Sequence, residues 1–142
     1  MRARRGAWLA AAALAAGLSA CGSDDSYENA LRPPAPINVT AAIDGERVRV
    51  SPQSFGAGPV VFVISNQSGL AQEVTFETDE LGGSQGGIRR SAGPIAPRST
   101  GTLKVDARQG TYRLSTSSQG VRAASVEVSE PRPSAQDELL QP

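Results

Sequence analysis

Between residues 37 and 129, apolar and polar positions alternate in short runs separated by turn residues, the period-two signature of half-buried strands. Ile37, Val39, Ala41 and Ile43 alternate with Asn38, Thr40 and Ala42 and predict a first strand. Asp44 and Gly45 follow. That pair predicts a hairpin closed by a type I′ turn, whose two central residues both need positive φ. Val48 and Val50 alternate with Arg47 and Arg49 in a second strand, after which Gly56, Gly58 and Pro59 predict a loop. Residues 60–64 (VVFVI) are apolar on both faces and predict a central strand. Val74, Phe76 and Thr78 alternate with Glu73, Thr75 and Glu77, one side inward and one wet. Residues 79–98 carry Gly82, Gly83, Gly86, Gly87 and Gly93 with Pro94 and Pro97, and read as a mobile loop with room for a short strand at Ile88. Strands resume at Leu103 and Val105, at Tyr112 and Leu114, and at Ala124, Val126 and Val128. No segment sustains helical spacing. Seven short strands with turns every 8–12 residues or so predict an all-β chain, a single seven-stranded β-sandwich.

The pattern changes outside that stretch. Arg2, Arg4 and Arg5 precede an apolar run over residues 8–18, and Leu18, Ser19, Ala20 and Cys21 close it. Basic, apolar, then small residues in that order form an export signal. Its end resembles the lipobox of bacterial lipoproteins, whose cysteine becomes the lipidated first residue of the mature chain. Cys21 is the only cysteine present. The alternative, an uncleaved transmembrane helix, needs roughly 20 apolar residues, about twice what the run supplies. Arg4 and Arg5 hint at twin-arginine export, but Ala3, Gly6 and Ala7 fit that motif poorly, and ordinary secretion suits them better. The resemblance implies residues 1–20 as signal peptide and Cys21 as the lipid attachment point, carrying diacylglycerol and palmitate. It places the mature chain on the outer face of the cell membrane, or on the periplasmic or outer-membrane side in a diderm cell.

Residues 22–36 are polar and then proline-rich (Pro33, Pro34, Pro36), and predict a flexible tether that includes Cys21 at its start. Fully extended, fifteen residues reach about 50 Å. Residues 130–142 predict a disordered tail, in which Leu139 and Leu140 could dock on a partner. Loss of the signal removes three of fourteen basic residues and no acidic one, leaving eleven against fourteen and a net charge of −3. That balance gives no footprint for nucleic acid.

Histidine is absent, which removes the usual general base near neutral pH and the commonest metal ligand. A lipidated Cys21 leaves no thiol for a disulfide, a thiolate ligand or a nucleophile. The glycine cluster at residues 82–87 lacks the Gly-Lys-Ser/Thr ending of a phosphate loop and no helix follows it. Lys104 is expected to face outward in mid-strand, with no serine elbow beside it. Glu73, Glu77, Asp79 and Glu80 could offer oxygen ligands to a cation such as calcium, although their spacing matches no EF-hand. Arg89, Arg90 and Arg98 could meet an anionic partner or simply be solvated.

Two stretches resemble the cupredoxin family. Residues 58–68 (GPVVFVISNQS) with Gln72, Glu73 and Val74 look like the family's apolar strand ending in Asn, a short loop, and a histidine opening the next strand. Residues 95–99 (IAPRS), then Leu103 to Val105 and Gly110 to Tyr112, are similar to its proline-glycine, strand, glycine-x-tyrosine signature. The resemblance spans residues 37–129 and implies a Greek-key sandwich. Family members hold type 1 copper with two histidines, a cysteine and usually a methionine. Position by position, the first histidine falls on Gln72 and the cysteine near Thr116, neither of use to copper. The resemblance therefore implies the fold without the metal, and no cofactor. The resulting expectation is a non-catalytic, lipid-anchored envelope module with a protein or envelope partner. An accessory role in copper or iron handling through a weak oxygen-ligand site is the alternative, and an enzyme working with carboxylates alone comes last.

Overall fold

The structure, a computed structural model, describes residues 32–79 and 87–134. Eight strands and no helix lie within them: β1 (Ile37–Ile43), β2 (Val48–Ser51), β3 (Ser54–Asn66), β4 (Gln72–Thr78), β5 (Arg89–Ile95), β6 (Thr100–Ala107), β7 (Gly110–Thr116) and β8 (Ala124–Pro131). They pair in the order β2-β1-β3-β8-β7-β4-β5, with β6 on the other side of β3. Two faces result. One is β2-β1-β3-β6 and the other is β5-β4-β7-β8, and they pack as an all-β sandwich. β3 to β6 form a Greek key: β4 pairs β5, β5 packs beside β6, and β6 returns antiparallel to β3.

The alternation read from the sequence is what fills the space between the faces. Val39, Ala41, Ile43, Val48, Val50, Val60, Phe62, Ile64, Leu103 and Val105 face inward from one sheet. Val74, Phe76, Tyr112, Leu114, Ala124, Val126 and Val128 meet them from the other. One row of rings crosses the core: Phe55 lies edge-on to Phe62 at 6.1 Å, Phe62 is 5.1 Å from Phe76, and Phe76 stacks on Tyr112 at 4.6 Å. Tyr112 then donates from its hydroxyl to the Arg108 carbonyl at 2.8 Å, the tyrosine-corner arrangement of β-sandwiches.

Three sequence expectations are corrected. The sandwich has eight strands and not seven, because residues 89–95, expected to be loop with room for a short strand at Ile88, form the seven-residue β5. That strand escapes a pattern reading since nearly all of it is exposed. It sits at a sheet edge, where Gly93 and Pro94 are tolerated because only β4 needs its ladder bonds. The loop expected at Gly56, Gly58 and Pro59 is instead strand: β3 starts at Ser54, faces a bulge in β8 where Glu130 is left over opposite Gly56 and Ala57, and bends at Gly58 (φ 126°). Its first residues pair with β8 and the rest with β1 and β6, so one strand serves both faces. The β1–β2 hairpin forms, but not through a two-residue type I′ turn. Ile43 pairs with Val48, leaving a four-residue loop, and Gly45 has no left-handed φ. Asp44 closes the loop through Oδ1, which accepts from the amides of Glu46 (2.9 Å) and Arg47 (2.8 Å).

The bend in β3 makes a notch that Arg132 fills. Its guanidinium donates to the carbonyls of Gly56 (3.1 Å), Ala57 (3.3 Å), Pro59 (2.6 Å) and Ala35 (2.6 Å). A Cβ at Gly58 would fall 2.7 Å from the Pro34 ring and 2.9 Å from the guanidinium. Ser134 adds a bond to the Arg32 carbonyl at 2.7 Å. The segments that lead into β1 and out of β8 are thus fastened to each other and to β3. Both ends of the described chain leave the sandwich at the same pole.

Candidate functional site

At the opposite pole four loops meet: β1–β2, β3–β4, β5–β6 and β7–β8. Their junction is a buried polar cluster built by the last residue of β3 and the first of β4. Asn66 ends the apolar run of β3, and its fully buried amide is wholly used. Nδ2 reaches the carbonyls of Leu70 (2.8 Å), Ile95 (2.9 Å) and Ala96 (3.2 Å), tying the β3–β4 loop to the β5–β6 turn. Oδ1 accepts from the Ser68 amide (3.0 Å) and hydroxyl (2.7 Å). Ser68 Oγ in turn accepts from Gln72 Nε2 (3.1 Å) and the Leu70 amide (3.4 Å).

Gln72, 1% exposed, opens β4 on its inner side. Val74 and Thr116 are directly opposed in the β4–β7 ladder. Gln72 lies two residues before Val74 on the same side, so it is the diagonal neighbour of Thr116, at roughly 7 Å between backbones. Gln72 Oε1 and Thr116 Oγ1 are the two buried side-chain polar atoms without a hydrogen bond among the described residues. The position at which the cupredoxin resemblance would set a histidine is thus a neighbour, across the ladder, of a residue near its expected cysteine, and each of the two leaves a polar atom unpaired.

These residues do not fit a copper ion. Type 1 copper takes imidazole and thiolate, and this cluster offers one amide oxygen and aliphatic hydroxyls, all neutral. Among the described residues no group of three Asp, Glu, His or Cys side chains converges on a metal-sized space either. Glu77 faces Arg113 (3.5 Å) and Arg89 (3.8 Å), and Asp79 faces Arg113 (3.7 Å). Glu73 and Glu77 are four residues apart on an extended strand, about 13 Å at 3.3 Å per residue. Glu73, Glu77 and Asp79 are therefore spread along β4 and its end, and Glu77 and Asp79 are matched to arginines, while Glu80 lies outside the described residues. So do Cys21, most of the glycine cluster at residues 82–87, Leu139 and Leu140. Lys104 is exposed on the outer side of β6, as the alternation required.

Around the cluster the loops carry Arg47, Arg98 and Arg122, with Asp44 and Glu46 in the same loop as Arg47. Arg47 and Arg122 sit side by side in a parallel bridge, joined by Val48 N to Arg122 O and Arg122 N to Glu46 O, each 2.8 Å. Arg98 occupies the third position of a turn closed by Ser99 N to Ala96 O at 3.2 Å, with φ 57°. Leu70 stands at the tip of the β3–β4 loop, 67% exposed, the one large hydrophobic residue so placed among the described residues. A sequence reading cannot find it, since one leucine in a short polar loop carries no periodic signal.

No family model matches the sequence, and no curated protein matches it. Nine chains among the solved structures do. One is the crystal structure of Blue Copper Oxidase from Nitrosomonas europaea, at 13% identity and a TM-score of 0.44, covering 75% of this chain and 43% of that one. The chain thus spans less than half the length of that protein.

Proposed function

We propose that this protein is a metal-free, non-catalytic, cupredoxin-like module, held at the outer face of the cell membrane by a lipid on Cys21 and binding a protein of the cell envelope. One observation carries the reading. Gln72, where the family resemblance would set a histidine, is the diagonal neighbour of Thr116, near which it would set the cysteine, and the unpaired atom of each is a neutral oxygen. A pole of that composition supplies no base near neutral pH to activate its hydroxyls, no thiolate and no redox centre. What it supplies is a rigid set of loops. The display role is supported by residues 32–36, which enter β1 at the pole opposite these loops.

Two measurements test this together. Cys21→Ala is expected to move the protein from the membrane to the soluble fraction, or to leave the signal unprocessed. Membrane retention after correct cleavage would overturn the anchor. Calorimetric titration of the purified protein with copper and with calcium is expected to show no saturable heat below about millimolar, the weak end of extracellular cation sites. Tight stoichiometric copper binding would overturn the metal-free reading.

A further inference from the structure

We infer that β6 is a docking edge for a second copy of this chain. Two β6 strands pair antiparallel about a two-fold axis at Val105 and join two β2-β1-β3-β6 sheets into one.

The backbone of β6 is half used. Its eight residues pair with β3 in an unbroken register, and no described strand pairs with its other side. The ladder fixes which groups point to that open side. Asn66 N donates to Ser99 O at 2.9 Å, so residues 66 and 99 form a hydrogen-bonded pair. Bonded and non-bonded pairs alternate in an antiparallel ladder, so Ile64 with Gly101, Phe62 with Leu103 and Val60 with Val105 are bonded too. Pro59 agrees with this phase, since it has no N–H and its carbonyl accepts from Arg132 at 2.6 Å. Thr102, Lys104 and Asp106 therefore turn their N–H and C=O groups away from β3. Such a row of donors and acceptors is a template for another strand.

The other edges are guarded. β2 has four residues, and its one charged side chain, Arg49, is paired with Asp44. β5 carries Arg89 and Arg90 without a carboxylate, lacks a donor at Pro94, and shifts its register against β4. β8 lies between β7 and the first residues of β3. Among the eight strands β6 alone carries charges of both signs.

Those charges select the occupant and its register. Lys104 and Asp106 are exposed on the outer face of β6. A lone lysine on an edge repels a copy of itself, but lysine and aspartate two residues apart are self-complementary. Residues 102, 104 and 106 must meet one another if their backbone groups are to bond. A two-fold axis at Lys104 or at Asp106 sets like charges together. An axis at Leu103 sets Lys104 against Thr102 and pushes the incoming strand toward Gly101, where Ile95 of β5 is packed so closely that a Cβ would fall 2.7 Å from its Cδ1. An axis at Val105 sets Lys104 opposite Asp106 twice and stays clear of β5. Opposite charges facing each other across a strand pair stabilise it, and like charges destabilise it. An unrelated peptide must bring the matching order of charges, whereas a second copy has it by construction.

Lys104 is the chain's only lysine, which makes the contact directly readable. The test is carbodiimide coupling in intact cells expressing the full-length protein, followed by sizing and mass spectrometry. The amine of Lys104 in one copy should form an amide with the carboxyl of Asp106 in the other, the carbodiimide taking up the water released. The expected product has twice the protein's mass. Lys104→Arg keeps the charge and should abolish this adduct while leaving the dimer intact in sedimentation equilibrium of the purified protein. Asp106→Arg sets like charges across the axis and should weaken the dimer about tenfold. The exchange Lys104→Asp with Asp106→Lys should restore both dimer and adduct, with melting temperatures near that of the parent throughout. A twice-mass adduct through another carboxylate, one that survives Lys104→Arg, adducts to other proteins only, or no adduct overturns the proposal. So does a dimer indifferent to Asp106→Arg. None of these results touches the metal-free module reading, which the copper and calcium titrations decide.

Discussion

At Asp44 one carboxylate does the work expected of a glycine turn. The amides of Glu46 and Arg47, then the Arg49 guanidinium, hold its pKa down from 3.8 to about 2. The unfolded chain therefore takes up the proton first as pH falls. The stabilisation from this group is complete above about pH 4 and is lost as pH drops through about 2. Asp44→Asn keeps the amide-accepting oxygen and should flatten that part of the stability profile, measured by denaturant unfolding between pH 5 and pH 2 or so. An unchanged slope would assign the acid sensitivity elsewhere. At the loop pole two buried amides differ sharply in what they hold. Asn66 satisfies three carbonyls from two loops, so Asn66→Ala should cost about 3 kcal/mol by leaving buried acceptors unpaired. Gln72 carries an oxygen that bonds nothing. Gln72→Leu, of similar volume, should change stability by less than about 1 kcal/mol, because it removes an unsatisfied acceptor while Ser68 keeps its bond to Asn66. Equal costs for the two variants would show that Gln72 Oε1 has a partner in solution. Burial pushes the Tyr112 hydroxyl pKa up, in keeping with its role as a donor to Arg108.

Among the elements, β3 shows why a strand can hide in plain sequence. Glycines and a proline read as a loop because they interrupt alternation. Here they let one strand leave the β8 ladder, bend, and join β1 and β6. The notch so formed receives Arg132, whose partners lie 73 to 97 residues earlier. Arg132→Ala should cost about 2 kcal/mol, the range for hydrogen bonds from a charged donor. It should also speed amide exchange at residues 56–58, the bend of β3 beside the carbonyls of Gly56, Ala57 and Pro59 that the guanidinium holds. Exchange that stays as slow as in the parent protein would show that the pairing with β8, β1 and β6 holds the bend alone. The edge strand β5 was illegible for a different reason. Of its seven residues only Ile95 is buried, so its place is set by hydrogen bonds to β4 and not by any apolar pattern of its own.

For the molecule as a whole, the row Phe55, Phe62, Phe76 and Tyr112 joins the two faces through a core otherwise made of Val, Ile, Leu and Ala. Phe76 touches a ring on either side and is fully buried, so Phe76→Ala should cost roughly 3–5 kcal/mol, much of the stability of so small a sandwich. Thermal or denaturant unfolding checks it, and a loss below about 1 kcal/mol would mean the rings do not join the faces as described. The sequence alone determined the class of the fold and the inward-facing set, since period-two alternation is a local property that each strand carries in itself. Its lack of histidine, and of any cysteine but Cys21, also settled that no imidazole or second thiol could serve a metal, a matter of composition. What only the tertiary structure decided depends on residues distant in sequence. It brought Gln72 beside Thr116, shut the β3 notch on Arg132, matched Glu77 and Asp79 to arginines, and set Leu70 at the pole opposite residues 32–36 and 132–134. None of these leaves a local trace, because each contact is chosen by how whole strands pack and not by the residues beside it in the chain.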